Sequence, residues 1–228
     1  MTVYAPLPHL KIAELRLAEA VAQHIPELGL NRSSLEAGAR HLGFSEGMRD
    51  LTAPNGAADI AAVLWRRDDS ILHSDDLEIA LRSMKIRDKI AYLVNLRVDS
   101  AAVEEPLLQH LMGFFALPTH AALYHRLLWD TAGMIWRLAG DTALDENHYS
   151  KRFLVSGIVT SALIMRMSQG REAQQAQVAR NIARVMSFES FKAKLPFKPE
   201  KALQDLAHVL GRLRYGSTVV TPQNPIAS

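Results

Sequence analysis

The chain has 228 residues, of which 48% are hydrophobic and 22% are charged, and its formal net charge is +2 at pH 7. This composition supports a folded core and excludes a disordered chain, and so slight a positive charge does not require a nucleic-acid partner. Because the chain has no cysteine, disulfides, thiolate metal sites and cysteine nucleophiles are excluded together.

Apolar residues recur three and four positions apart along most of the chain, whereas alternation with a period of two never persists. This periodicity predicts an all-α protein of about ten helices. Two helix starts are predicted from capping boxes, one from Ser33 to Glu36 and one from Asp75 to Glu78. Start and stop signals place the helices at about 11–24, 33–43, 45–54, 57–72, 77–98, 101–115, 119–139, 147–168, 171–187 and 199–214.

The segment AGARHLGFSEG has the alanine, the turn glycine and the helix-capping serine of a helix-turn-helix, with Ser45 as the predicted cap. Its GFSEG string is not a hydrolase nucleophile elbow, because a helix and not a strand precedes the serine. Between Lys11 and Asp59 there are five Lys/Arg and seven Asp/Glu residues, a net charge of −2. Since a DNA-binding head should be clearly positive, we expect no nucleic-acid partner.

The sequence contains none of the motifs that would indicate catalysis or metal binding. It lacks Glu-x-x-His, His-Glu-x-x-His and glycine-rich phosphate loops. His120 and His125 are five apart, so they do not share a helix face as ligands four apart would. We therefore expect no catalytic residue, no metal and no cofactor, and favour a binding protein over an enzyme.

The stretch from Leu107 to Leu138 is rich in leucine, aromatic residues and methionine. Taken alone, this surplus is explained by a solid core. Broad apolar faces on successive helices can also enclose a cavity, and flexible methionines suit a long apolar ligand.

The segment GDTALDENHYSKRFLVSGIVTSALIMRMSQG, from Gly140 to Gly170, resembles the signature of a ubiquinone-biosynthesis accessory family, Coq-nine, in bacteria also called rpsU-divergently transcribed protein. The chain departs from that signature at His148, where the family has tryptophan, and at Ser150, where it has threonine. Weaker likeness lies at Asn55–Leu72 and Lys85–Val98, within an overall span of about 15–185. The residues that match the signature are Gly140, Asp141, Asp145, Asn147, Tyr149, Lys151 and Arg152.

The resemblance implies a TetR-type fold with a helix-turn-helix head at 1–56, a lipid-binding and dimerisation body at 57–195, and a hinge, amphipathic helix and flexible tail at 196–228. It further implies a non-catalytic protein that binds isoprenoid quinone intermediates or other lipids and presents them to a di-iron demethoxyubiquinone hydroxylase. The apolar surplus and the resemblance together predict a cavity lined by Leu111, Phe115, Leu128, Met134, Phe153 and Val159. The implied partner patch is Asp145, His148, Tyr149 and Arg152, of which Tyr149 and Arg152 should be exposed on a helix whose buried face begins at Phe153.

We expect a homodimer through the helices at 147–168 and 171–187, whose small residues allow close approach. The helix from Pro199 to Tyr215 carries an apolar stripe of Leu203, Leu206, Leu210 and Leu213, with basic residues near its ends. This pattern predicts contact with a membrane surface, although such helices also commonly pack on their own domain. Without a signal peptide or transit peptide, the expected location is cytoplasmic, peripheral on the inner membrane face.

The alternative function is a TetR-family repressor with an apolar small-molecule effector, and the head charge favours the lipid-binding protein over it. A purely structural dimerisation module is a third possibility, which co-purified lipid would distinguish.

Overall fold

The computed structural model describes residues 8–140 and 147–194, and it describes side chains for 9–140 and 150–185. The chain divides into two compact units, Met1–Arg184 and Val185–Ser228. All contacts given below lie within the first unit.

Helices make up the regular structure of the described residues, and no strand occurs in 8–140 or 147–194, which confirms the all-α prediction. Short 3₁₀ turns lie at Ser70–His73, Ala102–Glu104 and Pro118–His120. The α-helices are α1 (Pro8–Ala22), α2 (Ile25–Leu28), α3 (Arg32–His41), α4 (Glu46–Thr52), α5 (Ala57–Asp69), α6 (Asp76–Leu81), α7 (Ile86–Ala101), α8 (Glu105–Phe115), α9 (Ala121–Leu138) and α10 (Asn147–Lys194).

Helices α3 and α4 form the predicted helix-turn-helix. The Ser45 hydroxyl accepts a hydrogen bond from the Met48 amide at 3.2 Å, so its role as the cap of α4 is confirmed. The predicted capping box at Ser33 is wrong. The cap of α3 is Asn31, whose side chain accepts from two amides of the first turn while the Ser34 hydroxyl accepts from the Asn31 amide at 3.1 Å. A capping box requires a residue with a short hydrogen-bond-accepting side chain and an extended backbone just before the helix. Asn31 meets this requirement two residues before Ser33, so the helix starts there.

The single helix predicted at 77–98 is two helices, α6 and α7, separated by residues 82–85. The predicted cap at Asp75 is also wrong, because its side chain makes no capping hydrogen bond and its backbone is already helical. Apolar spacing of four and three runs from Leu77 and Leu81 to Met84 in the turn, and all three are buried or partly buried, so periodicity alone does not reveal the break.

Helix α5 is central to the first unit, because it packs against α1 and α3 of the head and against α7 and α9 of the body. Buried residues of the head, such as Leu17 and Val21, belong to the same hydrophobic cluster as Leu64 and Leu93 of the body. The predicted head–body boundary falls at Gly56, immediately before α5, but the apolar core continues across it.

Helix α10 bends sharply at Gly170, whose φ of 83° and ψ of −170° are outside the helical region. Glycine adopts this positive φ without the clash that a Cβ would cause. The residues after the bend return along those before it, because Asn181 Nδ2 donates to Ser161 Oγ at 2.7 Å. The helix break predicted at Gly170 is therefore confirmed, and the two segments form a helical hairpin.

Candidate functional site

The start of α10 packs on α9 through two tryptophans. Trp136 Nε1 donates to the Lys151 carbonyl at 2.8 Å, and the Arg152 guanidinium lies 5.6 Å from the centre of the Trp129 ring. A Cβ added at Gly133 would lie 3.0 Å from Arg152 Cζ, so this glycine makes room for the arginine. Arg152 is consequently half-buried, so it is less exposed than the sequence suggested.

Phe153 is 74% exposed, so the prediction that the buried face of α10 begins there is wrong. That face begins at Val155 and continues through Val159 and Ala162, which are three and four positions apart. Phe153 and Val155 are two positions apart, about 200° around the helix axis, which places them on nearly opposite sides of the helix. Phe153 thus lies beside Arg152 as an apolar side chain in solvent.

The other predicted cavity residues lie in or against the core. Leu111, Phe115, Leu128 and Val159 are buried, and Met134 is partly buried against the same cluster. The cavity and its ligand stay a prediction. Of the remaining site residues, Asp145, the side chains of His148 and Tyr149, and Leu203, Leu206, Leu210 and Leu213 lie outside the described residues.

A buried polar network, which the sequence-based predictions missed, joins α5, α7 and α9. Arg97 is fully buried, its Nε donates to Asp69 Oδ1, and its guanidinium lies 4.5 Å from the centre of the Trp65 ring. The Thr131 hydroxyl lies 2.9 Å from Asp69 Oδ2 and accepts from Trp65 Nε1 at 2.9 Å. Asp68 Oδ2 lies 3.9 Å from Arg97 Nη1. The network therefore compensates a cation that could not otherwise be buried.

Burial dominates the titration of two groups near this network. Loss of solvation raises the pKa of Asp68 above its ordinary value, although Arg97 and Arg67 oppose that shift. Loss of solvation likewise raises the pKa of Tyr124, whose hydroxyl lies 2.9 Å from Thr160 Oγ1 on α10. Tyr124 therefore stays neutral and links α9 to α10.

Only one sequence signal indicates this network. Arg97 lies three and four positions after Val94 and Leu93 and four before Ala101, all of which are buried, so it falls on the buried face of its helix. Nothing in the sequence states that its partners are Asp69 and Thr131, because they come from helices distant in the chain.

Two clefts are formed by described residues. One, of about 480 Å³, lies between the head and α9, where Glu14, Asp59, Arg66 and Arg126 line it. The other, of about 930 Å³, is here named the α6 cleft and lies among α6, α7 and the end of α9. Neither cleft is lined by any of the six residues predicted for the cavity.

The candidate DNA-reading helix, α4, carries one arginine. Arg49 lies 2.8 Å from Asp50 Oδ1 and 3.9 Å from Glu36 Oε1, so neighbouring carboxylates neutralise its charge. A phosphate would have to displace these pairs before contacting the arginine.

Within residues 8–140 and 147–194, no helix is long and apolar enough to cross a bilayer. In the same part of the chain, no three histidine or acidic side chains come together as a group that could hold a metal ion.

The described fold is that of an all-α protein with a helix-turn-helix head and a helical body, which is consistent with the TetR-type class. The COQ9 family model matches residues 121–189, which include α9 and most of α10. This match confirms the predicted resemblance to that family over residues 121–189. No curated protein matches the chain.

The match to the COQ9 family is consistent with a role in ubiquinone biosynthesis. COQ9 is an accessory family, which is compatible with a non-enzymatic protein.

Proposed function

We propose that the protein binds an isoprenoid quinone intermediate or a related lipid, and presents it to the di-iron demethoxyubiquinone hydroxylase without catalysing a reaction itself. The observation that carries the proposal is the position of Phe153. It lies within the family match, 74% of it is exposed, and it adjoins Arg152 at the start of α10. Aromatic and arginine side chains are the usual energetic anchors of protein interfaces.

The arrangement of Arg152 also supports a contact surface. Its guanidinium is held over Trp129 and against Gly133, so it loses less conformational freedom on binding than a free surface arginine would. Phe153 beside it can bury apolar area, at about 25 cal/mol per Å², only when a partner covers it.

The hydroxylase contact is tested with Phe153→Ala. Because the side chain is exposed, we expect the thermal midpoint to stay unchanged while the amount of hydroxylase that co-purifies falls about tenfold or more. The matched control is Ile12→Ala, since Ile12 is also exposed, at 61%, but lies on α1 outside the family match. Equal co-purification with both variants would refute the proposed contact.

The lipid is tested by native mass spectrometry of the freshly purified protein, followed by organic extraction. Burying an isoprenoid tail contributes about 25 cal/mol per Å², so a bound isoprenoid should survive purification. Protein that is saturable by added ubiquinone analogues and carries an extractable isoprenoid supports the proposal. Protein that carries no lipid and takes up none counts against it.

We also propose that two copies pair through the α10 hairpin. Small residues are exposed on both of its segments, among them Gly157, Ala176 and Ala179. Small side chains let helices of two copies approach closely. Sedimentation should show a species of twice the 25.3 kDa chain mass. A monomer at tens of micromolar would contradict the pairing.

Membrane contact by the stripe of Leu203, Leu206, Leu210 and Leu213 belongs to the same proposal, because a water-insoluble quinone precursor has to be collected from a bilayer. Full-length protein should float with anionic vesicles, and a chain that ends at Phe197 should not. If both chains float equally, this segment is not the membrane contact.

A further inference from the structure

Three cationic side chains from different parts of the fold line the α6 cleft. Arg82 follows α6, Lys89 lies near the start of α7, and Arg137 lies in the last turn of α9. Among the described residues, none of the three has an ion-pair partner. Lys89 Nζ lies 3.8 Å from the position of a Cβ added at Gly140, so it extends to the end of α9.

Local helix electrostatics explains only part of this arrangement. Arg82 and Arg137 are at helix C-termini, where a positive charge is favourable. Lys89 is near a helix N-terminus, where it is not. Two carboxylates, Asp75 and Glu78, line the α6 side of the cleft and do not pair with the three cations in the structure. The cleft therefore has one more cation than carboxylate, and its three cations are not held in ion pairs with described residues.

The rest of the α6 cleft is partly apolar. Leucines from α6, from the turn before it and from the end of α9 line it, and they are Leu72, Leu77, Leu81 and Leu138. Its volume of about 930 Å³ is within the range of small-molecule sites. Apolar walls with a few convergent charges are typical of a site for an amphiphile.

We propose that the α6 cleft binds an isoprenoid that carries a phosphate or diphosphate group. Three cations match a headgroup with more than one negative charge, and phosphate oxygens accept several charge-assisted hydrogen bonds. Leu138, which is partly exposed, would contact the first isoprene unit beside the buried Leu72, Leu77 and Leu81. The isoprenoid part rests on the proposed function, whereas the anionic headgroup follows from the cleft alone.

Isothermal titration of the full chain with three soluble probes tests the proposal. Farnesyl diphosphate carries both features, farnesol has the chain alone, and inorganic pyrophosphate has the charge alone. Farnesyl diphosphate should bind at least about tenfold more tightly than either of the others, because each of the others lacks one set of contacts. Farnesol binding as tightly would overturn the anionic site, and pyrophosphate binding as tightly would overturn the amphiphile. A fourth probe, dihexanoylphosphatidic acid, has acyl chains in place of the isoprenoid. If it binds as tightly as farnesyl diphosphate, the claim that the ligand is an isoprenoid is overturned.

The double variant Lys89→Gln with Arg137→Gln should weaken farnesyl diphosphate binding by about tenfold or more. Arg137→Lys, which keeps the charge, should retain most of the affinity. The matched control is Arg66→Gln, an exposed arginine that lines the other cleft. Circular dichroism and the thermal midpoint verify that each variant is folded. If the double variant and the control bind equally, the three cations are not the site.

This outcome is separable from the proposed function. The double variant should still co-purify with the hydroxylase and retain its extractable quinone, because the α6 cleft does not include Phe153 or Arg152. If the double variant loses farnesyl diphosphate binding but keeps hydroxylase co-purification and its extractable quinone, the α6 cleft is a separate site. Loss of all three together would overturn it as a separate site.

Discussion

Two arginine–tryptophan contacts in this protein differ in their surroundings. Arg97 lies 4.5 Å from the centre of the Trp65 ring, is fully buried, and is bound by Asp69. Arg152 lies 5.6 Å from the centre of the Trp129 ring, is half-buried, and has an exposed phenylalanine beside it. The same pair of side chains therefore stabilises the core in one place and forms part of the surface in the other.

Burial accounts for the difference. A fully buried cation needs a compensating carboxylate, so the residues around Arg97 are constrained by folding. A half-buried guanidinium keeps part of its hydration, so the residues around Arg152 remain available for a partner. Changes at the first pair should act on stability, and changes at the second pair should act on association.

The largest effect is expected from Asp69→Ala. Removing the carboxylate leaves Arg97 buried with only the more distant Asp68, so the free energy of unfolding should fall by about 3–5 kcal/mol. Denaturant titration measures the change. The control is Asp75→Ala, because Asp75 is exposed. A loss below about 1 kcal/mol, as for an exposed acid, would show that the network does not hold the core.

A smaller loss is expected from Thr131→Val, which preserves shape but removes the hydroxyl between Trp65 Nε1 and Asp69. One buried donor and one buried acceptor lose a partner, which should cost about 1–3 kcal/mol of unfolding free energy. Thr131→Ser keeps the hydroxyl and should recover most of the loss. Equal losses in the two variants would assign the effect to packing of the methyl group.

The buried acid also predicts a pH dependence. Because burial raises the pKa of folded Asp68, the unfolded chain releases this proton at a lower pH, and Asp68 contributes less stability as pH rises from about 3.8 through the raised pKa. Asp68→Asn cannot titrate, so it does not lose stability with rising pH at this position. The difference in unfolding free energy, variant minus parent, should therefore increase from about pH 4 to about pH 7. Urea titrations at both pH values measure the difference. A constant or decreasing difference would contradict the assigned cause.

The smallest effect on stability is expected from Gly133→Ala. Alanine favours a helix over glycine by about 1 kcal/mol, but its Cβ would lie 3.0 Å from Arg152 Cζ, so the guanidinium must move. The two contributions should nearly cancel in the unfolding free energy, while hydroxylase co-purification falls. Gly113→Ala is the control, since nothing lies within 4 Å of a Cβ there and the helical gain should appear in full. Equal stabilisation of both variants would show that Arg152 is not held by this contact.

Much of the fold could be predicted because it follows from interactions within one or two helical turns. Ser45 caps α4 and Gly170 ends a helical segment for local reasons, and both predictions are confirmed. The prediction of a capping box at Ser33 was wrong for an equally local reason, because Asn31 accepts hydrogen bonds from the amides at the start of the helix. The split between α6 and α7 was missed because Leu77, Leu81 and Met84 keep a helical spacing into the turn.

The candidate site depended more on tertiary packing. The signature at 140–170 indicated the resemblance to COQ9, and the match at 121–189 confirms that resemblance, but the exposure of individual residues in this region did not follow from it. Phe153 looks like the first residue of a buried face because the apolar run begins there. Only the packing of α10 on α9 shows that the buried face begins at Val155.

By itself, the sequence determined the helical class, the helix-turn-helix and the resemblance to COQ9, because periodicity, caps and motifs are properties of neighbouring residues. Tertiary structure alone decided that Arg97 meets Asp69 and Thr131, and that Arg82, Lys89 and Arg137 line one cleft. These groups come from helices far apart in the chain. Their meeting depends on how whole helices pack, and no local rule contains that information.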